Sequence, residues 1–381
     1  MNRLYRGQYE EKNTVVVLIA LVVLVGFGMY YFKPYLLPIN SGVVWSENVV
    51  SEREQILLDF VNDKLTDEKG GIKTNYTEEN SDGDITKGSS VLSESEGLML
   101  IYYLHRGSKE DFNRTLQYIK ENMILESGVI SWRVEGNKPS LTSATIDDLR
   151  IIKALLLATE KWKDQSYRRM ALNISQGIKK DLLENDLLSD FNDGYNKSKK
   201  TTLCYLDLQT IKLLSNLDSD YKDVYKKSLD ILEGGYISDS VPLYKKEYTW
   251  EDCSYDEGDI DMLLSTIVIL NKLDAGEDVS KSVSWIKERM LNDKKLYSTY
   301  SVSNGRALSN IESTSIYSNV IQIAAEVGDK ELYNSCLSRL QEFQVINPRS
   351  DIYGSFGDEN TLQVYSFDNL NALIAMRRTI N

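Results

Sequence analysis

The chain is 381 residues long and acidic, with 57 aspartates and glutamates against 44 lysines and arginines and a formal net charge of −13. This balance argues against a nucleic acid partner, because binding to a phosphate backbone needs the opposite charge. The single histidine excludes zinc motifs that need two imidazoles, and the three cysteines are too far apart to form a disulfide framework. No phosphate-loop motif is present. We therefore expect no cofactor and no metal, and carboxylates remain as the candidate catalytic groups.

The N-terminal segment is typical of a membrane anchor. Residues 14–32 carry no charge and are about as long as a helix that crosses a bilayer. Basic residues precede this run, which places the N-terminus in the cytoplasm and the rest of the chain outside it. The predicted organisation is a cytoplasmic N-terminus at 1–13, a transmembrane signal anchor at 14–32, a linker at 33–45 and a single domain at 46–381.

From about residue 46 onward, apolar residues recur with the period of a helix, interrupted by clusters of Gly, Asn and Asp. The pattern predicts about twelve helices. They span 50–66, 92–106, 109–124, 146–163, 166–184, 204–217, 219–233, 258–273, 278–292, 309–327, 330–345 and 366–378.

The connections between these helices alternate between short and long. Short connections make antiparallel hairpins, so six helical hairpins are expected to close into an all-α (α/α)6 toroid. Strand-like alternation at 128–134 and 295–302 predicts small β-excursions in the long connections. A solenoid of repeats is the alternative, but such repeats normally share sequence and none is found here.

The long connections also carry aromatic side chains, which offer flat apolar faces to sugar rings. We interpret Trp132, Tyr195, Trp250 and Tyr255 as candidate substrate-binding residues. Any one of them is equally explained as a cap on the helical core. Only the group, together with the Asp and Asn residues beside it, favours a carbohydrate ligand.

Three groups of carboxylates precede or open predicted helices. Glu94 and Glu96 lie in SESEGLML, Asp147 and Asp148 lie in SATIDDLR, and Asp256 and Asp261 belong to the dense acidic segment SYDEGDIDMLL. First-turn acids are ordinary helix-capping residues, and a partly buried acid among apolar neighbours has a raised pKa suited to proton transfer. The third segment lacks the ligand spacing of an EF-hand, so calcium is not expected.

These segments resemble glycoside hydrolase family 8. SESEGLMLIYYL is similar to that family's Ser-Glu-Gly-Gln-Gly-Tyr-Gly-Met segment, with Ser93, Glu94 and Gly97 on matching positions. ATIDDLRIIKALLLATEKW is similar to its Ala-Thr-Asp-x-Asp-Leu stretch, although Ile146 replaces the first Asp. DIDMLLSTIVIL resembles its Tyr-Asp-Ala-x-Arg stretch when Asp261 matches the Asp. The resemblance spans roughly residues 50–380 and implies the (α/α)6 glycosidase fold.

The resemblance also implies roles for individual residues. Glu94 would be the general acid. Glu96 is the alternative, because Ser95-Glu96-Gly97 also has the Ser-Glu-Gly sequence of the family motif. Asp261 would be the base that activates water, or Asp256 if the third segment is aligned in its other frame. Asp147 and Asp148 would hold the sugar at the point of cleavage. Family 8 enzymes are described as inverting, which requires two opposed carboxyl groups about 6.5–9.5 Å apart.

The sequence therefore predicts a membrane-anchored, extracytoplasmic glycoside hydrolase that cuts within a β-linked polysaccharide, such as an exopolysaccharide leaving the cell. Its partners would be the polysaccharide, the membrane and the machinery that makes the polymer. The main alternative is an inactive glycan-binding subunit of an exopolysaccharide synthesis or export system. A lyase is a third interpretation, but such enzymes commonly use a His or Tyr base, and the single histidine, His105, falls at the end of a predicted helix.

Overall fold

The computed structural model describes residues 18–26, 28, 32–45, 49–78 and 87–380. The predicted signal anchor at 14–32 lies partly outside these residues. Within the described part of the chain, no helix is both long enough and apolar enough to cross a membrane.

Within residues 49–78 and 87–380, twelve α-helices build the domain, as the hydrophobic period predicted. They are α1 (Glu52–Phe60, continued by a π-turn at Val61–Leu65), α2 (Ser93–Arg106), α3 (Lys109–Asn122), α4 (Thr145–Trp162), α5 (Gln165–Asp181), α6 (Leu208–Leu217), α7 (Tyr221–Gly234), α8 (Met262–Asp274), α9 (Ser280–Asp293), α10 (Thr314–Val327), α11 (Lys330–Glu342) and α12 (Ser366–Arg377).

The even-numbered helices form a closed inner ring. Each packs against the next, and α12 packs against α2 to complete the circle. The odd-numbered helices lie outside and run the opposite way, so all inner helices begin at one end of the ring. This is the predicted (α/α)6 arrangement, and we call the end where the inner helices begin the mouth and the other end the floor.

In the described part of the long connections lie fourteen short strands, and pairs of them link neighbouring hairpins around the mouth. The predicted β-excursions are present, as β2 and β14. The strands are β1 (Val91–Leu92), β2 (Arg133–Glu135), β3 (Lys138–Pro139), β4 (Ser143–Ala144), β5 (Leu183–Glu184), β6 (Leu187–Leu188), β7 (Phe191–Asn192), β8 (Lys200–Thr202), β9 (Tyr236–Ser238), β10 (Val241–Tyr244), β11 (Glu247–Thr249), β12 (Ser254–Tyr255), β13 (Ile260–Asp261) and β14 (Thr299–Tyr300).

Five inner helices attach the preceding connection in the same way. The fourth residue of the helix is a side-chain acceptor, and it receives a backbone N–H from a residue of that connection. The donor and acceptor pairs are Ile72 to Glu96 (2.7 Å), Ile130 to Asp148 (2.7 Å), Tyr244 to Ser265 (3.1 Å), Leu296 to Tyr317 (3.0 Å) and Phe356 to Asn369 (2.8 Å). The residue types differ, so sequence comparison finds no repeat, yet each bond satisfies a backbone donor and fixes a loop at the mouth.

The sixth inner helix, α6, departs from this pattern because it begins lower in the ring. It has ten residues against 18 in α4. Its N-cap Asp207 lies 3.4 Å from Lys153, which is in the middle of α4. A short turn at Leu203–Tyr205 precedes α6; its Leu203 and Cys204 are buried, and Tyr205 is half-buried.

The segment predicted as a linker at 33–45 packs against the domain. Ile39 is 9% exposed, and Leu37, Val43 and Trp45 contact the hydrophobic core. The described part of this segment is therefore packed as part of the domain. The proline and polar residues of the sequence did not indicate this packing.

Candidate active site

The carboxylates singled out in the sequence meet at the mouth because each lies where an inner helix begins. Glu94 and Glu96 are in the first turn of α2, Asp147 and Asp148 in the first turn of α4, and Asp261 is the N-cap of α8. In a ring of parallel inner helices these first turns lie at one level. The fold therefore gathers groups that are more than 160 residues apart in the chain.

Glu94 combines partial exposure to the mouth with an environment that favours its neutral form. Burial is the main cause of its raised pKa, and the negative charges of Asp147 and Asp368 add to it, while Arg150 opposes them. The result raises the pKa of Glu94 to about 7. A carboxyl group that still holds its proton near neutral pH can donate that proton to a leaving oxygen.

Asp147 is the charged neighbour of Glu94. Its carboxylate accepts a hydrogen bond from the Ser93 hydroxyl at 2.7 Å and forms an ion pair with Arg150 at 2.8 Å. Burial raises the pKa of Asp147, whereas these two partners stabilise its charge. These partners favour the charged form of Asp147, and that negative charge in turn contributes to the raised pKa of Glu94.

Gly97 gives Arg150 the space for this arrangement. A Cβ at Gly97 would lie 3.1 Å from Cδ and 3.3 Å from Cγ of Arg150. The side chain of Arg150 therefore passes across α2 one turn below Glu94. Glycine is favoured at this position because α2 and α4 pack closely here. Its backbone conformation is that of an ordinary helix.

Two further residues belong to the same group, and the sequence analysis missed both. Asp368, in the first turn of α12, accepts hydrogen bonds from Thr314 at 2.9 Å and Ser315 at 2.6 Å. Tyr205 lies partly buried above α6, and the charges of Asp147 and Glu94 contribute to its raised pKa after burial and Cys204. Asp368 lies within SFDNL, a first-turn acid like Asp147, so that signal was available. Nothing in the sequence singles out Tyr205.

Arg150 was also missed, although its position was informative. It stands three residues after Asp147 on the same helix, a spacing at which opposite charges meet. The pairing is largely shielded from solvent, because the side chains of Arg150 and Asp147 are 14% and 7% exposed.

Glu96 and Asp148 are directed away from Glu94, toward the connections that they hold. Both are fully buried, and each receives a backbone N–H through one carboxyl oxygen. Their other oxygens, Oε2 of Glu96 and Oδ2 of Asp148, have no hydrogen-bond partner among the described residues. Burial raises the pKa of Glu96 to about 8 and the pKa of Asp148 well above its usual range. In this geometry both carboxyl groups hold a backbone N–H of the preceding connection, and the catalytic and sugar-binding roles that the resemblance implied for Glu96 and Asp148 stay predictions.

The two candidate bases differ in how their carboxylates are used. Asp256 receives the backbone N–H groups of Lys246 at 2.7 Å and Glu247 at 3.0 Å, which holds its own loop together. Asp261 is exposed at the mouth, and its Oδ1 caps α8 through the N–H of Leu264 at 3.0 Å. In the inner ring, α8 stands opposite α2, so Asp261 faces Glu94 across the mouth.

The predicted aromatic residues have different surroundings. The backbone carbonyl of Trp132 accepts the N–H of Ser93 at 3.0 Å, so Trp132 adjoins Glu94. Trp250 donates its indole N–H to Thr201 at 2.8 Å within a small sheet at the mouth. Tyr195 is 88% exposed on the loop after β7.

Tyr255 is the one predicted aromatic residue that turns away from the inner ring. Its hydroxyl donates to the carbonyl of Ile231 at 2.8 Å, and its ring lies against Gly234 on the outer helix α7. A Cβ at Gly234 would come within 2.4 Å of that hydroxyl oxygen. This position explains the glycine and separates Tyr255 from the carboxylates.

His105, on which a lyase mechanism would rely, lies in the last turn of α2 near the floor. Glu94 and His105 are eleven residues apart on one helix, or about 16 Å at a rise of 1.5 Å per residue. Burial and surrounding cations lower the pKa of His105 well below its usual range. The histidine is remote from the acidic group at the mouth.

The fold and the acidic group together define a glycosidase of the (α/α)6 class. The sequence comparisons agree: residues 75–186 match the model of the glycosyl hydrolases family 8. The chain is a glycosidase, and its residues 75–186 are similar to glycoside hydrolase family 8.

Three relatives illustrate this assignment. A solved structure from Clostridium perfringens, titled a novel alpha-amylase, is 51% identical with a TM-score of 0.84, and the match covers 86% of this chain and 98% of that one. The putative lipoprotein YdaJ of Bacillus subtilis is 25% identical over 328 residues, which is 84% of this chain and 86% of YdaJ. A cold-adapted family 8 xylanase solved with its substrate is 14% identical with a TM-score of 0.62, over 90% of this chain and 95% of that one, and this likeness shows the fold alone.

Proposed function

We propose that the enzyme hydrolyses a polysaccharide by an inverting mechanism, with Glu94 as the general acid. The observation that carries the proposal is the raised pKa of Glu94, about 7, beside the ion-paired Asp147 at the mouth of the ring. Glu94 would protonate the departing glycosidic oxygen, while Asp147, ion-paired with Arg150, would hold the sugar and help to keep Glu94 neutral. Glu96 is left out, because its carboxyl group faces the backbone of Ile72.

Asp261 is the proposed base. Axes of opposed helices in a six-membered ring are about 16–20 Å apart when neighbours pack at 8–10 Å. Side chains that reach inward from both helices shorten this span toward the about 6.5–9.5 Å that an inverting pair needs. Asp256 is the less suitable candidate, because one of its oxygens already accepts two backbone N–H groups. Asp368 neighbours Glu94 on the same side of the ring, so it is not an opposed partner.

The substrate proposal changes when the relatives are weighed. The sequence favoured a β-linked exopolysaccharide cleaved internally. The relative titled an alpha-amylase is 51% identical, whereas the xylanase is 14% identical. Since about half of the aligned positions are shared with the first, we place an α-linked glucan first among the candidate substrates and a β-linked polymer second.

We propose further that the enzyme acts outside the cell while attached to the membrane. YdaJ is called a putative lipoprotein, which supports an extracytoplasmic, membrane-associated location. Acyl chains are commonly attached to cysteine, but the first cysteine of this chain is Cys204. The apolar run at 14–32 would therefore provide the attachment here. An association with polysaccharide-synthesis machinery has no support beyond this location.

The proposal is tested by the release of reducing ends from a panel of polymers: starch, glycogen, mixed-linkage β-glucan, xylan, chitosan and the exopolysaccharide of the producing organism. A fragment beginning at residue 32 is suitable, because it keeps the packed segment before the domain. Product anomers followed by polarimetry or NMR report whether the configuration inverts. Cleavage of α-glucans alone supports the first substrate class, and cleavage of β-linked polymers alone rejects it.

The base is tested with the matched variants Asp261→Asn and Asp256→Asn on the polymer that is cleaved. We expect Asp261→Asn to lower kcat by about 10²–10⁴-fold, the usual contribution of a general base. Asp256→Asn should act mainly on the stability of its loop. The reverse order of the two effects on kcat would assign the base to Asp256. A wild-type protein that binds these polymers but cleaves none would favour the glycan-binding alternative.

A further inference from the structure

The segment from residue 34 to 45, which we call the strap, is attached to the floor of the ring. Arg168, at the floor end of the outer helix α5, donates to the carbonyl oxygen of Tyr35 at 2.5 Å and to that of Pro34 at 3.4 Å. The N–H of Ser41 is shared between both carboxylate oxygens of Glu160, each at 3.3 Å, in the last turn of α4. These bonds attach the strap to two different helices.

Aromatic contacts fix the end of the strap at the same floor. The ammonium of Lys161 lies 4.3 Å from the ring centroid of Trp45, close enough for a cation–π interaction. The rings of Trp45 and His105 are 5.4 Å apart, and His105 is in the last turn of α2. The strap thus spans the region between the ends of α2 and α4.

The strap also lines the inside of the ring at the floor. A cavity of about 750 Å³ runs along the ring axis, and residues 40–44 line it together with residues from the inner helices. The amide of Gln209 donates to the carbonyl of Ser41 at 3.1 Å, which fixes the strap over this opening. Arg150 lines the same cavity, so the cavity extends from the strap up to the level of Arg150.

We infer that the strap sets the orientation of the enzyme on the lipid bilayer, with the floor toward the membrane and the mouth facing away from it. The inference rests on the proposed membrane attachment through residues 14–32. A flexible linker would let the barrel tumble above the membrane, but a strap bonded to α4, α5 and α6 allows little rotation. The length of α4, 18 residues or about 27 Å, then separates the catalytic group from the lipid surface. A polymer outside the cell would meet the mouth before it met the membrane.

The chain already holds a probe site at the mouth. Cys253 is exposed in the loop between β11 and β12, whereas Cys204 and Cys336 are buried. A matched probe at the floor is obtained in a Cys253→Ser background by Val327→Cys, because Val327 is the last residue of α10 and 42% exposed. Full-length protein is reconstituted in phosphatidylcholine and phosphatidylglycerol vesicles and labelled with a membrane-impermeant fluorescent maleimide, which reaches only outward-facing barrels.

Quenching by lipids with spin-labelled headgroups then compares the two positions. We expect the probe at residue 327 to be quenched several-fold more strongly than the probe at Cys253. Equal quenching, or stronger quenching at Cys253, overturns the orientation. A full-length chain that does not associate with the vesicles overturns the membrane attachment itself, which is a distinct result.

A second variant tests whether the strap is responsible. Arg168→Ala combined with Glu160→Ala removes two polar attachments and touches no residue of the proposed catalytic group. We expect hydrolysis to persist and the two probes to become more alike in quenching. If the double variant stays folded and active while the difference between the probes is unchanged, the strap does not set the orientation.

Discussion

The beginnings of α2 and α4 are built alike but are used differently. In each helix the fourth residue is a buried acid, Glu96 or Asp148, that accepts a backbone N–H at 2.7 Å from the connection before it. Only α2 adds an acid at its second residue, where α4 has Ile146. That acid, Glu94, is partly exposed to the mouth. Unlike Glu96, it does not hold a backbone N–H of the preceding connection in the described part of the chain. Two carboxyl groups two residues apart on one helix can therefore have unrelated tasks, which depend on the direction in which each one projects.

The largest expected effect is a difference in kcat between variants of the two glutamates of α2. Glu94→Gln removes the proton donor, so we expect kcat to fall by about 10²–10⁴-fold while the unfolding midpoint in urea changes little. Initial rates of reducing-end release measure the loss. Glu96→Gln is the matched control and should keep most of its activity, because Gln still accepts the N–H of Ile72. Loss of activity in Glu96→Gln alone would make Glu96 the acid.

The next effect tests the structural task of the acid in α4. Asp148→Ala leaves the buried N–H of Ile130 without its acceptor, which we expect to lower the free energy of unfolding by about 1–3 kcal/mol. Asp148→Asn keeps an acceptor and should be close to the wild type or more stable. Urea denaturation followed by far-UV circular dichroism gives both values. Equal stability of the Ala and Asn variants would contradict the role assigned to this hydrogen bond.

The two glutamates should also differ in their effect on pH dependence: Glu94 should control the pH dependence of activity, and Glu96 that of stability. Glu94 must be protonated to act, so the alkaline limb of the kcat/KM profile should fall as pH rises through about 7, the pKa to which its surroundings raise it. Asp147→Asn removes a negative neighbour and leaves Arg150 unpaired, so the fall should move to lower pH. A pH profile of kcat/KM for both proteins measures this. If kcat/KM falls at the same pH in both proteins, Asp147 does not contribute to the raised pKa of Glu94.

For Glu96, the property expected to depend on pH is the free energy of unfolding of the protein. Its pKa is raised from 4.5 to about 8 in the folded protein. The stabilisation from the protonated form is complete below its ordinary pKa and is lost as pH rises through about 8, at about 1.4 kcal/mol for each unit between the two values. The wild type should thus lose more stability between pH 5 and pH 9 than Glu96→Gln does. Thermal unfolding across that range tests the difference, and parallel curves for the two proteins would contradict it.

The smallest effect concerns the contact between the two helices. In Gly97→Ala the new methyl group would lie 3.1 Å from Cδ of Arg150, so this side chain must move by a few tenths of an ångström. Alanine favours the helix by about 0.8–1 kcal/mol, which offsets the crowding in stability. We expect a several-fold decrease in kcat with little change in the unfolding midpoint. Full activity would show that the position of Arg150 is not critical.

The sequence determined the fold class to a large extent. The helical period of apolar residues predicted twelve helices whose bounds agree with the structure within a few residues, and the alternation of short and long connections predicted the ring. The success has a simple cause: an inner helix such as α4 must bury most of its surface, so its apolar pattern is strong and local. The three acidic segments were also found, because acids at helix starts are visible in the sequence.

Only the tertiary structure decided which acids act together. Whether a first-turn carboxylate faces a backbone N–H, as in Glu96, or the mouth of the ring, as in Glu94, depends on what packs against its helix. Asp368 joins Glu94 because α12 closes the ring onto α2, a contact between the two ends of the domain. The strap was read as a linker because its order comes from partners far away in sequence, such as Glu160 and Arg168. Local sequence records the helices, whereas pKa values and docking contacts arise from neighbours that folding brings together.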